Sequence, residues 1–213
     1  MLAIDTCGEG AGVALWDGAN VLAQRELPSR AASAEIIATI RELLAACTLK
    51  LDHLEGIGVV AGPGSFTGVR TGLAAAKGLC EATGLPFATV SRLEVLAHAA
   101  SLQEGFAVLG AGRRDLYVRQ HRDGLASERM STADLLIGEA AGTHVVVAEP
   151  MLLELLQPLQ PVLRSLTVAD ALPLLLAALQ QGGIDMAHAD ANYVRRESEL
   201  YAKQGSGPAC ATT

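Results

Sequence analysis

Aromatic side chains are almost missing from this chain: Phe, Tyr and Trp make up 3% of its 213 residues, although half of all residues are apolar. The core must therefore be assembled from Ala, Leu, Val and Ile, as expected of many closely packed helices with short side chains. Cysteine is scarce and scattered. Cys7, Cys47, Cys80 and Cys210 form no CxxC pair, which speaks against a disulfide framework and for reduced thiols packed as small hydrophobes. The five histidines show neither HExxH nor HxxxH spacing, so the sequence gives no positive support for a zinc or iron site. Long apolar runs are lacking too: the longest, Ala171 to Leu179, is far below the roughly 20 residues of a membrane span. Met1 to Asp5 already reads as a strand, leaving no room for a signal peptide, and the expectation is a soluble, cytoplasmic protein with no membrane contact.

Basic charge is in deficit. Lys and Arg number 16 against 23 Asp and Glu, for a net charge of −7. The acidic excess is shared by both halves, 11 acids to 7 bases up to residue 105 and 12 to 9 beyond it. A protein that grips nucleic acid unaided presents a basic footprint, and the only local cluster is Arg113-Arg114-Asp115-Leu116-Tyr117-Val118-Arg119-Gln120-His121-Arg122, on a predicted strand. Such runs are more often solvated faces than binding patches.

The most informative stretch is Gly62-Pro63-Gly64-Ser65-Phe66-Thr67-Gly68-Val69-Arg70-Thr71-Gly72. The apolar run from Gly56 to Ala61 before it predicts a buried parallel strand. Ser65 to Thr83 predicts a helix, capped by Ser65 or Thr67 and ended by Gly84 and Pro86. Two physical readings of the glycines compete. Free N–H groups at a helix start attract phosphate, but the spacing fits neither a P-loop nor GxGxxG. The second reading is close packing: Gly64, Gly68, Gly72, Ala76 and Cys80 recur every four residues and form one ridge of small side chains on a helix. Each internal glycine costs about 1 kcal/mol relative to alanine, and a small ridge lets another helix come near. That helix can belong to a partner or to the same chain; the spacing is satisfied by both.

Along the chain, three strands (Leu2 to Thr6, Gly12 to Trp16, Val21 to Leu27) are followed by a helix from Ser33 to Cys47, the buried strand, the glycine-led helix, a strand at Phe87 to Val90 and a helix at Leu93 to Ala100. This is the order of a ribonuclease H-like unit. Strands at Phe106 to Gly110, Leu116 to Arg122 and Val145 to Ala148, with helices near Met151 to Leu156 and Ala171 to Gln181, predict a shorter, degenerate second copy. The expected division is 1–104 for the first domain, 105–192 for the smaller second, and 193–213 for a C-terminal segment and flexible tail.

Two such units, the first opening on Ile4-Asp5-Thr6, are similar to the actin and sugar-kinase superfamily. Ile4-Asp5-Thr6 together with GPGSFTGVRTGLAAAKGL from Gly62 to Leu79 resembles the TsaB family, with a strong match over about residues 1 to 100 and a weak one afterwards. The resemblance implies a noncatalytic partner subunit in the synthesis of threonylcarbamoyladenosine on tRNA. It would support a catalytic TsaD-like subunit, be joined by a TsaE-like ATPase, and contact tRNA only indirectly. It also implies a helical interface, for that partner or for a homodimer, at Gly64, Ser65, Phe66, Thr67, Gly68, Val69, Arg70, Gly72, Ala76 and Cys80, aided by the helix from Ser33 to Cys47. ADP or ATP would sit at the contact with TsaD rather than bind tightly to this chain.

The residues themselves agree that chemistry is lacking. Asp5 and Thr6 read as a vestigial nucleotide site, because Glu9 puts a carboxylate where phosphate would lie. The turn Gly110-Ala111-Gly112-Arg113 lacks the acid an active second domain would carry there. Where many family members have a His before the first long helix, a Pro within it and a Pro before the late Tyr-x-Arg, this chain has Ala32, Ala38 and no proline from Ala191 to Arg195. The alternatives from other classes are an ATPase or kinase of the same superfamily and a glycoprotease-type metallopeptidase.

Overall fold

In the computed structural model, residues 1–8, 10–28, 32–187, 189–192 and 194 are described. Three strands open the chain, β1 (Leu2–Asp5), β2 (Gly10–Trp16) and β3 (Val21–Pro28), followed by α1 (Ala32–Ala46), β4 (Ile57–Val60), α2 (Phe66–Thr83), β5 (Phe87–Val90) and α3 (Arg92–Ala99). The strands form one sheet in the order β3-β2-β1-β4-β5. Ile4 pairs with Val13 of antiparallel β2 on one side and with Val59 of parallel β4 on the other. Leu2, Ala3, Ile4, Ile57 and Val59 are wholly buried, which is why β1 and β4 read as continuous apolar runs rather than alternating ones.

The second half contributes β6 (Gly105–Gly110), β7 (Asp115–Arg122), β8 (Leu125–Thr132), α4 (Ala133–Glu139), β9 (Val145–Val147), α5 (Met151–Leu155), β10 (Val162–Leu163) and α6 (Leu172–Gln180). Its sheet runs β10-β9-β6-β7-β8. β6 is antiparallel to β7 and parallel to β9, and the outer pairs are likewise antiparallel and parallel. That is the strand order of the first sheet over again. The fold is α/β, of the actin and sugar-kinase type, with two ribonuclease H-like units. The second is shorter, β9 having three residues and β10 two.

The helices do not divide at residue 104: α3 is shared, with Val95 in the core of the first sheet and other residues on the second, and α6 packs on the first. Leu93, Leu96 and Ala97 of α3 pack with Ala107, Leu109 and Val146 of the second sheet. Val168, Ala171, Leu172, Leu175 and Ala189, expected in the second domain, belong to the core of the first. Gly58 in the middle of β4 makes room for this: a Cβ there would stand 2.7 Å from Leu175 Cδ2. The other face of the first sheet carries α1 and α2. The tail expected at 193–213 lies, apart from residue 194, outside the described residues, as do Glu9, Tyr193 and Arg195. Among the described residues, no helix is long and apolar enough to cross a membrane.

Candidate functional site

β4 delivers the chain to α2 through Gly62, at φ +100°, and a cis bond to Pro63. A side chain at Gly62 would be strained by its φ and would meet the Asn192 carbonyl oxygen at 2.8 Å, so glycine is required there on two counts. Ser65 N–H donates to the Cys7 carbonyl (2.9 Å), tying the start of α2 to the end of β1. Ser65 Oγ accepts from Gly68 N–H (3.3 Å) as the N-cap, and Gly84, at φ 70°, ends the helix.

The small-residue ridge faces inward, which corrects the expected interface. A Cβ on Gly64 would collide with the Cys7 carbonyl, one on Gly68 with the Thr6 carbonyl and one on Gly72 with Thr6 Oγ1. Ala76, Cys80 and Val69 are wholly buried. The glycines therefore bring α2 down onto the end of β1; Val69, Gly72, Ala76 and Cys80 are buried, while Gly64 and Gly68 are half-buried. Of the expected interface residues, Ser65, Phe66, Thr67 and Arg70 are exposed. Phe66 is 56% exposed, and the Arg70 guanidinium sits over its ring at 3.8 Å from the centroid.

A second small-residue row lies on the outside of α2. Counting by four from Phe66 and Arg70 gives Ala74, Gly78 and Ala82, all exposed. A Cβ on Gly78 would touch nothing within 4 Å among the described residues, so no packing within them explains a glycine in mid-helix. α1 packs beside α2 and adds exposed Ala34, Ile37, Ala38 and Ala45 to the same layer. The period that revealed the inner ridge could have revealed the outer one, because Ala74, Gly78 and Ala82 follow it equally well.

Asp5 and Thr6, expected as a vestigial nucleotide site, are turned to internal tasks. Both are buried; Asp5 Oδ1 accepts from Cys7 N–H (2.8 Å) and Thr6 Oγ1 donates to the Gly68 carbonyl (2.6 Å). Burial raises the Asp5 carboxyl above its ordinary range against the opposing pull of Arg92. Beyond them a cleft of about 290 Å³ lies between the units, lined among others by Cys7, Ser65, Arg92, Arg113, Asp115 and Glu149. Arg92 Nη1 bonds Glu149 Oε1 across it at 3.1 Å. Two arginines of the basic run are paired, Arg114 with Asp134 and Arg119 with Glu128, and neighbouring Arg129 pairs with Glu139. No three His, Cys, Asp or Glu side chains among the described residues are placed to hold a metal ion.

Residues 20–164 match the family model of TsaD, tRNA N6-adenosine threonylcarbamoyltransferase. The tRNA threonylcarbamoyladenosine biosynthesis protein TsaB of Escherichia coli is 37% identical over 105 residues, covering 49% of this chain and 46% of that protein. Its Haemophilus influenzae counterpart is 34% identical over 124 residues, covering 56% and 52%. The match thus spans about half the length of these curated relatives. A crystal structure from Pseudomonas aeruginosa, of an uncharacterized protein with similarity to peptidase YEAZ, superposes with a TM-score of 0.75 at 24% identity, covering 91% of this chain and 98% of that one; this likeness speaks to the fold alone.

Proposed function

The chain belongs to the TsaD family and, within it, to the TsaB branch, and from that premise we propose that it is a noncatalytic scaffold in tRNA threonylcarbamoyladenosine biosynthesis. It docks a TsaD-like catalytic subunit through the outer faces of α1 and α2. The observation that carries the reading is Gly78, an exposed mid-helix glycine with open space outside it. Its helix cost of about 1 kcal/mol is unreturned among the described residues and is returned if another helix approaches there at the short end of the roughly 8–10 Å range. Phe66, held by Arg70 at the N-terminal end of the row, is the kind of exposed aromatic that anchors an interface core.

The noncatalytic part of the reading is supported by the internal use of Asp5 and Thr6 and by the Arg92–Glu149 pair across the cleft. A nucleotide shared with the complex belongs, on this reading, at the contact between proteins, a TsaE-like ATPase joins the assembled pair, and tRNA is met through the catalytic subunit. The test is titration of the TsaD-like subunit of the same organism into Ala74→Trp and Gly78→Trp variants. Both substitutions point to open surface, so the expected result is a Tm within about 3 °C of the parent's, the size of the helix-propensity change, with affinity at least tenfold weaker. Unchanged affinity in folded variants would remove this face as the docking surface. A homodimer through the same face would lose concentration-dependent mass in sedimentation with the same variants.

A further inference from the structure

Two ties cross between the units, and both are rooted at Ala61–Gly62, the backbone that leads into α2. In front, Arg92 N–H donates to the Gly62 carbonyl (2.6 Å) while its guanidinium reaches Glu149 at 3.1 Å. Glu149 is itself fixed to the second sheet, because Oε2 accepts from Gly110 N–H at 3.2 Å. Behind, Asn192 N–H donates to the Ala61 carbonyl (2.7 Å), and Asn192 Nδ2 donates to Glu128 Oε2 of β8 at 3.0 Å. Glu128 also holds Arg119 at 2.8 Å.

The front tie is unusually closed. The Arg92 and Glu149 side chains are 11% and 20% exposed, so solvent screens the pair little. The guanidinium lies where a side chain at position 8 would be: a Cβ on Gly8 would stand 2.5 Å from Arg92 Nη2. At the same bend, Ser91 Oγ and Arg92 Nε are buried with no hydrogen-bond partner among the described residues. Two such groups oppose the closed arrangement, since opening would give both to water.

We propose that Arg92–Glu149 is a latch that holds the two units together across the cleft, with Asn192–Glu128 as the hinge-side tie. The latch fixes the second unit relative to the junction from which α2 springs. It does not depend on the docking reading, and its test needs no partner.

The experiment measures amide hydrogen exchange at Arg92, whose N–H crosses to the Gly62 carbonyl, and the small-angle scattering profile of the full chain, comparing the parent with Glu149→Gln and Gly8→Ala. Gly8→Ala keeps both charges and merely displaces the guanidinium. We expect Arg92 exchange to accelerate at least tenfold in both variants, with a larger radius of gyration and near-parental exchange in the middle of β1 and β6. Folded variants with Arg92 exchange within twofold of the parent and an unchanged profile would overturn the latch. If Glu149→Gln does not fold, Gly8→Ala decides alone. If neither folds, the pair is structural cement rather than a latch and the proposal fails.

Discussion

Thr6 and Gly68 are locked together twice, by the hydrogen bond from Thr6 Oγ1 to the Gly68 carbonyl at 2.6 Å and by the Thr6 carbonyl filling the space a Gly68 side chain would need. Bulk at the inner ridge must therefore damage folding, whereas bulk at the outer row must not. Gly68→Val and Gly72→Leu are expected to lose about 3 kcal/mol or more, since backbone and a buried hydroxyl cannot yield as a flexible side chain does. Gly78→Ala should gain up to about 1 kcal/mol, or roughly 2–4 °C in Tm for a chain of this size. Thermal unfolding of the three variants checks both signs. A stable Gly68→Val would contradict the packing described.

Phe66→Ala separates docking from folding. The exposed Arg70–Phe66 contact contributes on the order of 0.5–1 kcal/mol, so Tm should barely move. If Phe66 anchors the partner, affinity for the TsaD-like subunit should drop by about 2 kcal/mol, near thirtyfold. Calorimetric titration reads it, and a drop below threefold would leave Phe66 outside the contact.

Asp5 gives a pH dependence of definite sign. Burial raises its carboxyl pKa in the fold, with Arg92 and the Cys7 N–H pulling the other way. The folded chain then binds this proton more tightly than the unfolded chain, so the group favours folding at low pH. That contribution is withdrawn as pH climbs from the unfolded value through the raised folded one. Asp5→Asn keeps an acceptor for Cys7 N–H and removes the decline. The Tm difference, variant minus parent, should grow from pH 4 to pH 7 and be positive at pH 7; a difference that shrinks with pH would refute the assignment.

Thiol reactivity should divide by burial. Burial pushes the Cys80 thiol up to about 11 and the Cys7 thiol well above its ordinary value, where the charge of Asp5 adds to the effect. At pH 8 both should resist alkylation in the folded protein and react on unfolding, while half-buried Cys47 labels first among these three. Peptide mapping by mass spectrometry shows the order, and early labelling of Cys80 would mean that the inner face of α2 is open.

The strand-to-helix junction was legible in the sequence because its signals are local: an apolar run, a capping Ser65, an ending Gly84. The direction of the ridge was not, because a spacing of four fixes which residues share a face but not what covers that face. β8 and α4 escaped for a different reason. Leu125–Thr132 is a polar, half-exposed edge strand with little apolar alternation, although Asp123-Gly124, both at positive φ, is the two-residue turn that announces a hairpin. Arg92 and Glu149 lie 57 positions apart, and no pattern in either neighbourhood points to the other. The sharing of α3 and the placement of α6 on the first sheet were hidden likewise, since an apolar helix does not state which sheet it will cover.

The missing side chains at Gly64, Gly68 and Gly72 act as a keyway into which the end of β1 fits, so α2 has no slack to slide or roll on its sheet. A subunit arriving on the outer side meets a surface already in its final shape. Recognition there would proceed as between rigid bodies, and its heat-capacity change should scale with the contact area alone, free of any increment from ordering the helix.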